Sequence, residues 1–555
     1  MGKCVFGFDF GTLSCRGVAI DLNDGRLIAT AEMDYPKGVI SEKLPASGEE
    51  LPPEWFLQDP MDWLESMRYV SKTMLKEGNI APEDVLAIGT DFTSCTLLPV
   101  AEDSTPLCFL REFKNRPNAW PKLWKHHGAQ KYAEQIEAYA KENTTWLKEY
   151  FGNSVSSEWV FPKVMEVLKE DKEVYDKTAY FMEAVDWIVF ALTGELTRNY
   201  GILGVNAFWI KGKGFPDKEF LKGLSPELEN IAETKLKGRL LGVGERAGYL
   251  TKEMADYLGL TVNTVVSSGH GDSAVAGCGA GINKSGSMIL VMGTSTCHQM
   301  LYEGFSAFDG VCSIAADGMV PGLYSYESGQ SATGDVFGWF AENCVPEQYR
   351  KEARAQNKKI LDYLSEKASA LKVGESGLVA LDWLNGNRSV LSDYNLSGLV
   401  VGLTLSTKPE DIYRAFVEAN LFGSRVILEN YENGGVKIDR VYAVGGIPAK
   451  SPWVMQLCAD ILDREISVPE VDNIPARGSA ACAAVALGGK YGCKNFEETA
   501  ERLIPKGKTV YKPDPERVKQ YNELYKFYIE LHDEFGRNST FMKRLKELRT
   551  TDKSQ

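Results

Sequence analysis

Positive charge, histidine and long apolar runs are what this chain has least of. Acidic residues outnumber basic ones, 76 to 62, for a formal net charge of −14. A protein that grips nucleic acid without regard to sequence needs a basic face to neutralise phosphates, so that class is excluded. No stretch reaches the roughly 18 apolar residues that a membrane helix requires. The N-terminus enters a strand-like run at once, Cys4-Val5-Phe6-Gly7-Phe8, so no secretory leader is expected. The five histidines show no metal-ligand spacing, and the eleven cysteines are scattered, odd in number and free of any C-x-x-C pair. That usage fits a reducing compartment rather than a disulfide framework or a zinc site. The expectation is a cytoplasmic protein with neither nucleic-acid nor membrane partners.

At 555 residues the chain outgrows a single core, because single cores stop growing near ~250–300 residues. With 44% hydrophobic and 25% charged residues it has the composition of a folded globular protein. Val5 to Phe10 reads as a short strand interrupted by Asp9, then Gly11-Thr12-Leu13-Ser14 turns the chain into a second strand from Arg16 to Leu22. Asn23-Asp24-Gly25 is a hairpin turn leading to a third strand, Arg26 to Ala31. The same device returns in the second half of the chain, where Met288 to Met292 leads through Gly293-Thr294-Ser295-Thr296 into a strand from Cys297 to Tyr302. Such a recurrence points to two duplicated lobes that face each other. Strands at Val85 to Gly89, Val441 to Gly445 and Ile466 to Val468 alternate with helices at Pro60 to Leu75 and Pro452 to Leu462, and a small-residue helix follows at Ser479 to Gly488. This pattern predicts an α/β fold with central sheets. The lobes are expected over residues 1–268 and 269–555, the second ending in one charged helix from Pro513 to Leu548.

Three stretches carry chemistry. Gly-Thr turns let backbone amides approach phosphate oxygens, and their hydroxyls add donors. Asp9, at a strand end, suits water on Mg²⁺, and Arg16 suits a phosphate; read alone, the first is also a turn residue and the second an exposed strand residue. Asp272, in Gly269-His270-Gly271-Asp272-Ser273, joins a strand to a helix, where a carboxylate can be oriented as a general base or can simply cap the helix. Val444-Gly445-Gly446-Ile447 joins another strand to a helix through bare backbone. No P-loop and no protein-kinase motif set is present.

Together, Asp9-Phe10-Gly11-Thr12, Trp124-Lys125-His126-His127, Gly269-His270-Gly271-Asp272, Met292-Gly293-Thr294 and Glu327-Ser328-Gly329-Gln330 resemble the FGGY family of carbohydrate kinases. The similarity runs over roughly residues 3 to 530. It implies two actin-like (ribonuclease H-like) lobes, each a mixed sheet flanked by helices, with a cleft between them. It implies ATP and Mg²⁺ as cofactors and a small ketopentose as acceptor. Asp272 would be the catalytic base. Gly11, Thr12, Arg16, Gly293 and Thr294 would face the phosphates, while Gly334, Gly445, Gly446 and Lys450 would line the nucleoside pocket. Ser94, Trp124, Asn206 and Glu327 would contact the sugar, with Asp272 beside its terminal hydroxyl, and Asp9 and Asp272 would flank the metal through water. The Lys125-His126-His127 segment points to the branch acting on L-ribulose, in L-arabinose breakdown. Asn206 departs from the lysine expected there, which leaves D-ribulose or another pentulose or pentitol open. Cys15 replaces a small, glycine-like residue after the first loop. The same superfold also serves non-catalytic ATP switches, and the resemblance leaves room for a homodimer.

Overall fold

The computed structural model describes residues 2–551; Met1 and residues 552–555 of the expected lobes lie outside the described residues. Cys4–Phe10 (β1), Ser14–Asp21 (β2) and Leu27–Asp34 (β3) form the antiparallel meander that the hairpin signals indicate. The helix Pro60–Glu77 (α1) opens on Asp59, whose carboxylate accepts from the Met61 amide at 2.8 Å. Its apolar stripe, Trp63, Met67, Val70 and Met74, is fully buried in the first lobe's core. This crossover delivers Val85–Phe92 (β4) parallel to β1. Residues between β4 and the next strand of this sheet build a subdomain with its own aromatic core around Phe151, Trp159, Phe161 and Phe208; its helix Val160–Glu170 is α2. Arg246–Tyr249 (β5), Val265–Ser267 (β6) and His270–Gly271 (β7) complete the first sheet, in the order β3-β2-β1-β4-β6-β5 with β7 also on β4.

After the helix Asp272–Gly279 (α3) the chain builds a second sheet from Ser287–Met292 (β8), Thr296–Tyr302 (β9), Ser313–Ala316 (β10) and Tyr324–Gln330 (β11). The helices Gly334–Asn343 (α4) and Pro409–Asn433 (α5) precede Arg440–Val444 (β12). Next come Gly446–Lys450 (α6), Pro452–Leu462 (α7), Ile466–Pro469 (β13), Ile474–Leu487 (α8) and Lys508–Tyr511 (β14). The strand order is β10-β11-β9-β8-β12-β13-β14. Setting β11-β9-β8-β12-β13-β14 against β3-β2-β1-β4-β6-β5, each neighbouring pair has the same sense: antiparallel twice, parallel twice, then antiparallel. The two lobes are therefore one topology built twice.

Helix α8 reaches back from the second lobe onto the first sheet. Its small residues allow an approach so close that a Cβ on Gly7 would fall 1.9 Å from the Ala476 carbonyl oxygen. Ser479 donates to Asp91 Oδ2 at 2.6 Å, so the lobes are joined beneath the cleft. The C-terminal segment differs from the single expected helix. Pro515–Asp533 (α9) ends in a wide turn at Glu534–Asn538, and Phe541–Thr551 (α10) starts anew. Gly536, Asn538, Ser539 and Thr540 are poor helix formers, and Ser539 Oγ accepts from the Phe541 amide at 3.1 Å. Tyr521, Tyr525 and Tyr528 of α9 pack against Phe422 of the second lobe.

Candidate active site

The two Gly-Thr turns occupy the same corner of their respective sheets and face one cleft. A pocket of about 230 Å³ lies there, lined from the first lobe by Thr12, Ser94, Trp124 and Glu158 and from the second by Asp272, Gly293, Thr294, Glu327 and Arg388. The first turn is closed by the Gly11 amide donating to Ser14 O at 2.9 Å. Trp124 Nε1 donates to Thr12 Oγ1 at 3.1 Å, and Gln58 Nε2 to Thr12 O at 2.8 Å. Arg16, paired with Asp9 across β1 and β2, donates to Asp9 Oδ2 at 3.3 Å and to Glu32 Oε1 at 2.8 Å.

The second turn is closed by Gly293 N–H on Ser295 O at 2.8 Å, and the start of α4 braces it. Thr333 N–H donates to Thr294 O at 2.7 Å and Gly334 N–H to Gly293 O at 3.0 Å. Gly445 has φ +107°, and a Cβ there would fall 2.5 Å from Met292 O, so only glycine lets β12 pass this close to the turn. Gly293, Thr294, Gly334 and Gly445 thus share one corner, with Gly446 and Lys450 exposed on its lip.

Asp272 is the first residue of α3, behind the short strand β7. Its Oδ1 accepts from the Ser273 amide at 2.7 Å. It does not cap the helix; Gly271 holds that position. Burial, then the negative charge of Asp9, push its carboxyl up to about 7 despite the Ser273 N–H. Asp9 is itself raised by burial against the opposing pull of Arg16. Its parallel partner on β4, Asp91, is fully buried and raised further by Asp9 and Asp272. Asp91 Oδ1 has no hydrogen-bond partner among the described residues. A hard cation beside Asp9, Asp91 and Asp272 would relieve this crowding of oxygen charge. No three acidic, histidine or cysteine side chains among the described residues stand close enough to chelate an ion directly, so contact through water fits the donor set.

Across the pocket, Ser94 Oγ lies against Gly271, where a Cβ would meet it at 2.1 Å. Glu327 accepts from Arg388 Nη2 at 2.5 Å and from Gln299 Nε2 at 2.9 Å. Trp124 is held by a buried network behind it. Glu166 on α2 pairs with Lys122 at 3.0 Å and with His126 at 2.8 Å, while Lys163 donates to Cys95 O and Leu123 O at 2.6 and 2.9 Å. Burial and Lys122 hold His126 down at about 3, so it is a neutral strut. His270 is another: Nε2 bonds Gly318 O at 2.5 Å, and burial lowers it to about 4.

The pocket brings together Thr12, Ser94, Trp124, Asp272, Gly293, Thr294 and Glu327. It does not bring in Asn206, which is fully buried behind the wall and donates to Glu183 Oε1 at 2.7 Å; its neighbour Val205 lines the pocket instead. Asp9, Gly11, Arg16, Gly334, Gly445, Gly446 and Lys450 lie outside the lining as well. Sequence reasoning missed Asp91, Glu158, Gln299 and Arg388. Asp91 carries the same strand-end signal as Asp9 and was open to the same argument; the other three sit in segments without a diagnostic pattern.

Residues 4–279 match the N-terminal domain, and residues 288–487 the C-terminal domain, of the FGGY family of carbohydrate kinases. The chain is 44% identical over 554 residues to a ribulokinase of Anoxybacillus flavithermus, covering 99% of this chain and 98% of the relative. It is 43% identical to a ribulokinase of Geobacillus thermodenitrificans, again over 99% and 98%. Among solved structures, a ligand-bound xylulose kinase from Lactobacillus acidophilus superimposes with a TM-score of 0.78 at 18% identity, covering 97% of this chain and all of that one; this likeness speaks for the fold, the duplicated actin-like architecture. The chain belongs to the FGGY family of carbohydrate kinases and is an ATP-dependent sugar kinase.

Proposed function

We propose that this kinase transfers the γ-phosphoryl group of ATP to the terminal hydroxyl of L-ribulose, giving ADP and L-ribulose 5-phosphate in L-arabinose catabolism. The observation that carries the reading is one pocket in which Asp272, Trp124, Ser94 and Glu327 meet both Gly-Thr turns. The ribulokinase relatives support the choice of acceptor.

Phosphoryl transfer asks the protein for positioning, charge stabilisation and a base. Asp272 takes the proton of the attacking hydroxyl; with its carboxyl near 7 it is a far better base than an ordinary aspartate. Thr12 from one side and Thr294 from the other offer amides and hydroxyls to the phosphates, while Gly11 and Gly293, whose own amides close the turns, face the phosphates with bare backbone, and Arg16 lies near the first turn. Gly334, Gly445, Gly446 and Lys450 border the nucleoside. Asp9 and Asp272, with Asp91 behind them, would hold Mg²⁺ through water, and that ion supplies neutralisation of phosphate charge. Trp124, Ser94 and Glu327 orient the sugar. Closure of the lobes excludes water and limits ATP hydrolysis.

A second reading, a kinase of D-ribulose or another pentulose or pentitol, is favoured by the burial of neutral Asn206 against Glu183. The test is ADP release and phosphosugar formation with both enantiomers of ribulose and xylulose and with ribitol. Turnover highest on L-ribulose is expected; a tenfold preference for another acceptor overturns the assignment. ATPase activity indifferent to every sugar would instead indicate an ATP switch.

A further inference from the structure

Arg388 belongs to the irregular segment between the paired strands Val379–Leu381 and Leu399–Val401. That segment is tightly pinned. Asn387 and Asp393 exchange both backbone hydrogen bonds, at 2.9 and 2.8 Å, and Asn387 Oδ1 accepts from the Leu391 amide at 3.1 Å. Ser389 Oγ accepts from the Gly329 amide at 3.1 Å, and Asp393 pairs with Lys543 at 2.6 Å. The Arg388 backbone is therefore fixed, and its guanidinium lies over β11, where a Cβ on Gly329 would come within 3.3 Å of Nη1.

From there Nη2 donates to Glu327 Oε1, while Gln299 occupies Glu327 Oε2. No other oxygen among the described residues accepts from the guanidinium. The guanidinium also meets the Cys312 thiol, and Arg388 lines both the pocket that holds Asp272 and an adjoining polar chamber of about 270 Å³. Arginine presents five donors in a rigid fork, so a group held on one side by a carboxylate can still read an oxygen on the other.

Charge sharpens the argument. Glu158, Asp272 and Glu327 line the pocket against a single cation, Arg388, which Glu327 already neutralises. A carboxylate on the acceptor would meet Glu158 and Asp272 with no unpaired cation to receive it.

We infer that Arg388 is a specificity-determining contact, donating to a hydroxyl or carbonyl oxygen of the acceptor and, with Glu327, restricting the pocket to uncharged sugars. The inference rests on reading the cleft as the sugar site. It is tested by titrating L-ribulose, D-ribulose and L-ribonate into wild type, Arg388→Gln and Arg388→Lys, following the fluorescence of the pocket tryptophans Trp124 and Trp159, alongside KM for sugar and for ATP. Arg388→Gln is expected to raise the sugar Kd and KM by at least about tenfold, the scale of a charge-assisted hydrogen bond. KM for ATP should stay within about twofold, since no nucleotide-side group of the second turn touches Arg388. Arg388→Lys should recover part of the loss, and L-ribonate should bind wild type at least about a hundredfold more weakly than the preferred ribulose. Sugar binding unchanged in both variants, or equal binding of L-ribonate and ribulose by wild type, overturns the inference. If Arg388→Gln does not fold, as judged by its circular dichroism melt, Arg388→Lys decides, because it keeps the charge and loses the fork. Failure of wild type to bind either ribulose is a separate outcome: it removes the sugar-site reading and the role of Arg388 with it.

Discussion

The two sheets place the same turn at the same corner and surround it with opposite chemistry. In the first, the strand entering the turn carries Asp9, with Asp91 beside it on the parallel neighbour and Arg16 across the antiparallel one. In the second, the corresponding register positions are Val291, Val444 and Cys297. The first corner is ionic; the second is uncharged and bordered by Gly334 and Gly445. One duplicated scaffold thus carries carboxylates and a guanidinium at one corner and close backbone approach at the other. Asp272, at the start of the helix between the sheets, stands where both can reach it.

The largest effect should come from removing charge at the junction. Asp272→Asn is expected to lower kcat by at least ~10²-fold, the usual scale for loss of a general base. Affinity for ATP and sugar should stay within several-fold by calorimetry; near-normal turnover would leave the ionic corner without its catalytic member. The pH profile probes the same group. With its carboxyl at about 7, Asp272 is protonated below neutrality, so kcat/KM should fall about tenfold per pH unit on the acid side. Stability has the opposite sense. The folded-state value lies above the ordinary carboxylate value near ~4, so the stability linked to this proton is full below ~4 and lost as pH rises through about 7. Thermal melts of the ligand-free protein from pH 5 to 8 should therefore decline less in Asp272→Asn than in wild type, and parallel declines would count against the raised carboxyl.

The uncharged corner should respond to bulk. Gly445→Ala puts a methyl group 2.5 Å from Met292 O at φ +107°. The chain must shift, and KM for ATP should rise about tenfold with kcat on bound substrate little changed, the scale of local backbone strain. If sugar KM rose instead, the assignment of the two corners would be reversed.

How much of this was legible beforehand follows from locality. Turn chemistry is local, so Asp9-Phe10-Gly11-Thr12, its echo at Met292-Gly293-Thr294 and the Asn23-Asp24-Gly25 hairpin could be read directly, as could the stripe of α1. The lobe-to-lobe bond from Ser479 to Asp91 joins residues far apart in the chain, and no local pattern announces it. Arg388 was silent for the same reason, because its meaning depends on Glu327 meeting it across a loop without period. The segment Lys125-His126-His127 points to the ribulokinase branch, in line with the relatives, while the bond that makes His126 a buried strut joins it to Glu166 on a distant helix and has no local signal. The break between α9 and α10 was local in origin and was missed because the tyrosine stripe of α9 outweighed Gly536 and Ser539.

The smallest expected effect tests whether the ionic corner is merely placed near the sugar wall or held by it. Trp124 belongs to the wall, yet its indole N–H donates to Thr12 of the first turn at 3.1 Å. Trp124→Phe keeps most of the apolar surface and deletes that one bond, worth about a threefold change on the scale of a single neutral hydrogen bond. If the turn depends on the wall, KM for ATP and KM for sugar should rise together by about that factor, because one bond serves both. A rise in sugar KM alone would mean that Thr12 keeps its position without the indole, and that the first turn is braced by Gln58 and the Gly11–Ser14 bond. The ionic corner would then be as self-supporting as its uncharged counterpart, where Thr333 and Gly334 brace the turn through backbone bonds and the Thr333 hydroxyl bonds that of Thr296 at 2.8 Å.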